Sequence, residues 1–470
     1  MILLLALIIA TLSLTFTSAE AVVLDPVPLR AAFEAHGANV GWSAADRSIT
    51  VALPTGSLRF FANSRGAYMN DVPITLRHSI TVVSGVSFIH PDDYLSLMRG
   101  MSLLVGNNLY RTQLEANLLA PVIMGQHSVP GMVVAIVDAH QDFTWIQGFG
   151  YSDTERGIPV NENTVFGIGS ISKIFTAIAA IQLVESGVID LDVPIVEYLP
   201  GFSMRPSPSW GGNYRNITTR MLLTHTAGIL SQVNLANDFF AYNYISMGGH
   251  NPDFLNSFLD IMAHHYMVHP EGMIFDYSNN GYVLLGVLVA AMTGNDNHFN
   301  DFVRYTNQHI IAPAGLARTS FVLNDALWPY LARPYVNATT RDQYIYLNGL
   351  PTGSMVSTAT DMAHFMHILL NDDGRLLSPG TIRQMMQPQV AGVGLSYGLG
   401  FLVIPTEAGF SAIGHDGQWM HYESFLFLDL SSGIGVFVAI NSHYGATGRV
   451  AFNTGLRLLQ HAVWERHGML

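Results

Sequence analysis

Ser170 and Lys173 stand three residues apart in the run Gly169-Ser170-Ile171-Ser172-Lys173. The apolar spacing that follows predicts a helix over residues 170–186, with Ile171, Phe175, Ile178 and 181–183 on its buried side and Gly187 ending it. Residues three apart on a helix share a face, with Cβ atoms roughly 5–6 Å apart. A serine hydroxyl is a poor nucleophile until a base takes its proton, and an amine takes it only where burial depresses its pKa. Ile171, Phe175 and Phe166 supply apolar neighbours for that purpose, and the positive end of the helix favours negative charge developing beside Ser170. Lys173 is also the only lysine among 21 Lys and Arg residues. Arginine never gives up its proton in a protein and lysine can, so a singleton kept for base chemistry is one reading. Drift in an arginine-rich genome explains the same count.

Two further groups carry chemistry. In Tyr277-Ser278-Asn279 a phenol can relay a proton and a carboxamide can hold a substrate amide, although the same residues serve equally as a turn capping the helix that follows. In His415-Asp416-Gly417-Gln418 a glycine lets a substrate lie against a strand edge, and the next N–H can serve as an oxyanion donor. Its plain alternative is a polar turn between strands. Each motif is weak alone.

Together, and in this order, the three motifs make residues from about 110 to 465 resemble the serine beta-lactamase, penicillin-binding protein and esterase superfamily, in its class C-like branch. The run 222–228, Leu-Leu-Thr-His-Thr-Ala-Gly, looks like a further signature of that family. The resemblance implies Ser170 as acylated nucleophile, Lys173 as its base and Tyr277 as proton shuttle. It implies Asn279, His415 and Gly417 as substrate-binding groups, and the N–H groups of Ser170 and Gln418 as the oxyanion hole. No metal and no organic cofactor is expected. Where efficient class C enzymes carry lysine, this chain carries His415, which points away from beta-lactam turnover and toward D-amino-acid peptides or esters. A weak class C-like beta-lactamase and a non-hydrolytic penicillin-binding or sensor protein are the alternatives.

The elements that must position these groups follow from the pattern. The fold class expected is α+β, beta-lactamase/transpeptidase-like. Apolar runs at 132–138 and 143–148, with others at 398–404, 422–428 and 433–440, predict one antiparallel sheet flanked by helices, closed by a helix over 450–466. The loop-rich, helical stretch from 190 to about 300 is an inserted helical subdomain, and a cleft is expected at its seam with the sheet. Ahead of it, short strands at 40–42, 48–53, 58–61, 67–69 and 72–76 predict a small α+β module. Over residues 24 to about 100 this module resembles the copper amine oxidase N-terminal-like domain; no histidine cluster that would bind copper is evident in it. The domains expected are a signal peptide at 1–21, this module at 22–101 and the hydrolase at 102–470.

The apolar run 2–10, extended through 12–16, with Ala19-Glu20-Ala21 at cleavage spacing, predicts export, or anchoring if the segment stays uncleaved. A net charge of -13 excludes nucleic acid as a partner, and the absence of cysteine excludes disulfides and thiolate chemistry. The partners expected are a small ester, amide or peptide substrate and, through the first module, cell-wall polymer. Two decoys fail on context. Gly394-Leu395-Ser396-Tyr397-Gly398 fits a nucleophile elbow but runs into a strand instead of a helix. His264, His265 and His269 lack ligand spacing and read as structural or surface residues.

Overall fold

The computed structural model describes residues 27–468 apart from 35–37, 54–55, 91–92, 95, 98–108, 232–243, 296, 392–393, 407–408 and 443–448. The expected signal segment and the boundary near residue 101 lie outside the described residues. Among the described residues two compact units are present, one of residues 127–463 and a smaller one of residues 27–126 together with the C-terminal end from Trp464.

In the smaller unit, Asn39–Ser43, Ser48–Leu53, Gly56–Phe61, Gly66–Met69 and Val72–Thr75 form a five-stranded antiparallel meander. Period-two alternation drives it: Val40, Ile49, Val51, Leu58, Phe60 and Ala67 are buried together with Leu29 and Phe33 of the short helix Leu29–Glu34. Asn70 and Asp71 both take left-handed φ (51° and 62°), the requirement of a two-residue hairpin turn whose twist matches its strands. A second sheet joins Val27–Pro28, Val86–Ile89 and Thr81–Val83.

The larger unit is built on a nine-stranded antiparallel sheet. Its strand order is Ile158–Pro159, Phe143–Asp153, Gly131–Asp138, Ile434–Ile440, Tyr422–Asp429, Ser411–Trp419, Leu402–Pro405, Ser396–Tyr397 and Val390–Ala391. The α+β architecture read from the sequence is the one observed. Gly131–Asp138, Tyr422–Asp429 and Ile434–Ile440 are buried at every residue, as strands covered on both faces must be. Ala359–Asn371 packs on two of them, Gly131–Asp138 and Ile434–Ile440. Within the helical stretch expected from 190 to about 300, Ser257 separates the short helices Pro252–Asn256 and Phe258–Ala263. The strand Ser411–Trp419 was not legible as one, because Gly414, His415, Asp416, Gly417 and Gln418 interrupt any apolar alternation. Among the described residues no helix is long and apolar enough to cross a membrane.

Candidate active site

Ser170 does not begin the long helix as the periodicity predicts. It sits in a 3₁₀ turn, Gly169–Ile171, and the α-helix runs from Ser172 to Glu185. That turn is fixed through its backbone. The Ile168 N–H donates to the Met355 carbonyl (2.9 Å), the Ile168 carbonyl accepts from Ser424 Oγ (2.8 Å), and the Gly169 carbonyl accepts from Ser172 Oγ (2.6 Å). Gly169 has φ +50°, and a Cβ there would lie 2.6 Å from the Gln418 nitrogen. Only glycine allows the turn to press against the strand, and the pressing sets Gln418 beside the nucleophile.

The helix that follows is buried nearly all round, not on one stripe, and packs on Asn279–Thr293. Lys173 is 0% exposed. Its Nζ lies 2.9 Å from Ser170 Oγ and donates to the Thr352 carbonyl at 2.7 Å. Burial pushes the amine well below its ordinary pKa, while the nearby Asp416 carboxylate pushes back. Tyr277 Oη donates to Ser170 Oγ at 3.0 Å from the other side. Burial raises its phenol well above the usual value, against the Ser170 hydrogen bond. Both shifts run toward the uncharged forms, the amine toward the free base and the phenol toward keeping its proton.

Asn279 opens the helix Asn279–Thr293, capped by Ser278 Oγ accepting from the Gly281 N–H (3.0 Å). The Asn279 Oδ1 accepts from Thr352 Oγ1 at 2.7 Å, so Thr352 ties the amine and the carboxamide together. His415 is 2% exposed, with its ring 6.0 Å from that of Tyr277. Its Nδ1–H donates to the Asp416 carbonyl, and burial lowers its pKa to about 4, against the pull of Asp416. The ring is therefore neutral at neutral pH.

A Cβ on Gly417 would run into the Ile168 carbonyl and Ser424 Oγ. Its glycine is required by the packing of the Ser170 turn on the strand. Gln418 is exposed at the same edge.

Sequence reasoning missed several residues here. Asp416 faces Lys173 electrostatically and pairs with Arg449 at 2.8 Å. Thr352, Tyr282 and Tyr397 carry no motif that could have pointed to them. Tyr282 lies under the amine (5.7 Å from its ring), and Tyr397 lies 6.1 Å from His415, ring to ring. Ser396 of the decoy elbow belongs to a short sheet strand, followed by Leu402–Pro405. His225, in the run 222–228, is 1% exposed among Phe275, Tyr277, Tyr282 and Tyr397.

In the smaller unit His78, His90 and Asp93 come together in space, from positions that form no motif in the sequence.

Residues 112–460 match the family model described as beta-lactamase, and residues 24–99 match the copper amine oxidase N-terminal domain. The chain belongs to the beta-lactamase family. It is accordingly a serine hydrolase of the acyl-enzyme type. The family chain is 26% identical over 341 residues to penicillin-binding protein 4 of Amycolatopsis lactamdurans, covering 68% of this chain and 82% of that one. It is likewise 26% identical over 324 residues to a penicillin-binding protein of Bacillus subtilis (strain 168), covering 64% and 65%. The octameric penicillin-binding protein homologue from Pyrococcus abyssi superposes with a TM-score of 0.61 at 25% identity, over 75% of this chain and 77% of that one.

Proposed function

We propose that this beta-lactamase-family chain is an extracytoplasmic hydrolase of ester or amide bonds, with Ser170 acylated and with D-amino-acid peptides or small esters as substrates. One observation carries the reading: a single hydroxyl held 2.9 Å from a buried amine and 3.0 Å from a partly buried phenol. The neutral amine of Lys173 takes the Ser170 proton as Oγ attacks the carbonyl carbon. The N–H groups of Ser170 and Gln418 receive the oxyanion. Tyr277 passes a proton to the leaving oxygen or nitrogen as the tetrahedral intermediate collapses, and water then cleaves the acyl-enzyme by the reverse relay. Asn279 orients the substrate amide, and His415 lines the strand side.

The neutral, buried His415 supports peptides and esters over beta-lactams, since it offers no standing charge to an antibiotic carboxylate. The likeness to penicillin-binding proteins favours a second reading, in which penicillin acylates Ser170 and little is released. A panel of nitrocefin, p-nitrophenyl esters and D-Ala-D-Ala peptides, run on wild type and Ser170→Ala, tests both. Turnover beyond the acylation burst supports hydrolysis; a burst with no turnover supports the second reading. Covalent labelling by a fluorophosphonate or penicillin probe that survives in Ser170→Ala removes both.

A further inference from the structure

We infer that His78, His90 and Asp93 form a binding site for a late first-row divalent cation, Zn²⁺ or Cu²⁺, in the N-terminal unit. One potential ligand atom from each lies within 4.8 Å of the other two. Asp93 is the anchor. It is 3% exposed, and its carboxylate is aimed by two backbone donors, the N–H of Arg77 on Oδ1 (2.6 Å) and that of His78 on Oδ2 (2.8 Å). Among the described residues its ion-pair partner is His78, whose Nδ1 lies 2.9 Å from Oδ2. A carboxylate this buried is ordinarily matched by a positive charge, which a bound cation supplies.

The second histidine is in place as well. The His78 and His90 rings lie face to face, with centroids 3.6 Å apart and planes 20° from parallel. An imidazole can offer a ring-nitrogen lone pair to a metal. Two imidazoles and a carboxylate suit zinc and copper, and leave coordination positions for water. The 2.9 Å contact is about the separation of two ligands at right angles around an ion with bonds of ~2.0–2.1 Å. The wider gaps close by rotation of the His78 ring, whose side chain is 43% exposed and gives the ion its route from solvent.

The inference is independent of the hydrolase mechanism. The full chain, stripped with chelator and dialysed, is titrated calorimetrically with ZnCl₂ and, separately, CuSO₄ at neutral pH. One equivalent per chain is expected for wild type and for His264→Ala, which controls for adventitious surface binding. In His78→Ala and in His90→Ala that equivalent weakens at least about tenfold. Unchanged ester hydrolysis and circular dichroism show that these exposed or half-exposed positions do not unfold the chain. Failure of wild type to bind either ion, or binding undiminished in both histidine variants, overturns the inference.

Discussion

His225 holds the backbone on both sides of Tyr277. Its carbonyl accepts the Asp276 N–H at 2.8 Å, its Nδ1 accepts the Ser278 N–H at 2.9 Å, and its ring lies 4.3 Å from the Tyr277 ring. Accepting at Nδ1 places the proton of the neutral ring on Nε2, and burial keeps the ring neutral by pushing its pKa well below the usual value. The residue adopts φ +57°, a left-handed conformation that asparagine tolerates better than most side chains. His225→Phe fills the space without the acceptor, and kcat is expected to fall about 10–100-fold. His225→Asn, which restores an acceptor, recovers most of that loss. Equal defects in the two variants would mean the imidazole only packs.

Lys173 carries a signed pair of predictions. Its folded pKa is depressed, so kcat/KM declines as pH is lowered through that value and the amine gains its proton. Replacement by arginine, permanently charged, costs at least about 10³ in rate. Stability moves the other way. The unfolded chain binds the proton more readily than the folded one, so the buried lysine destabilises the fold most at low pH, and its cost fades as pH rises toward 10.5. Lys173→Met is therefore inactive with a higher Tm, and its advantage over wild type shrinks in alkaline melts.

Asp416 favours the protonated form of Lys173. Asp416→Asn removes that support, so the acid limb of the kcat/KM profile moves to lower pH, although Arg449 loses its 2.8 Å partner. A limb that stays in place or moves upward would show that another group sets it.

His415 titrates only near pH 4. Affinity for carboxylate-bearing substrates and nitrocefin turnover, measured as KM and rate, should therefore not improve when pH falls from ~8 to ~6, the range in which an ordinary histidine charges. A rise over that range would place a positive charge on this ring or beside it.

Gly169→Ala puts a Cβ 2.6 Å from the Gln418 nitrogen at φ +50°. Strain of about 1–3 kcal/mol is expected in the melt, with slower acylation in burst kinetics as the strand shifts away from Ser170.

The spacing of Ser170 and Lys173, the single lysine, and the order of Tyr277, Asn279 and His415 along the chain were enough to name the family and the α+β architecture. Local rules carry that far, because a three-residue step and an apolar period are properties of neighbouring residues. The strand Ser411–Trp419 escaped them: its residues answer to the turn at Ile168–Gly169, which arrives from about 250 positions away and uses the gap at Gly417. The same holds for Asp416 beside Lys173, Thr352 bridging Lys173 and Asn279, and His78 with His90 and Asp93. Burial and Coulomb interaction depend on distance in space, so the neutral state of the amine and of His415 was decided only when the chain closed around them.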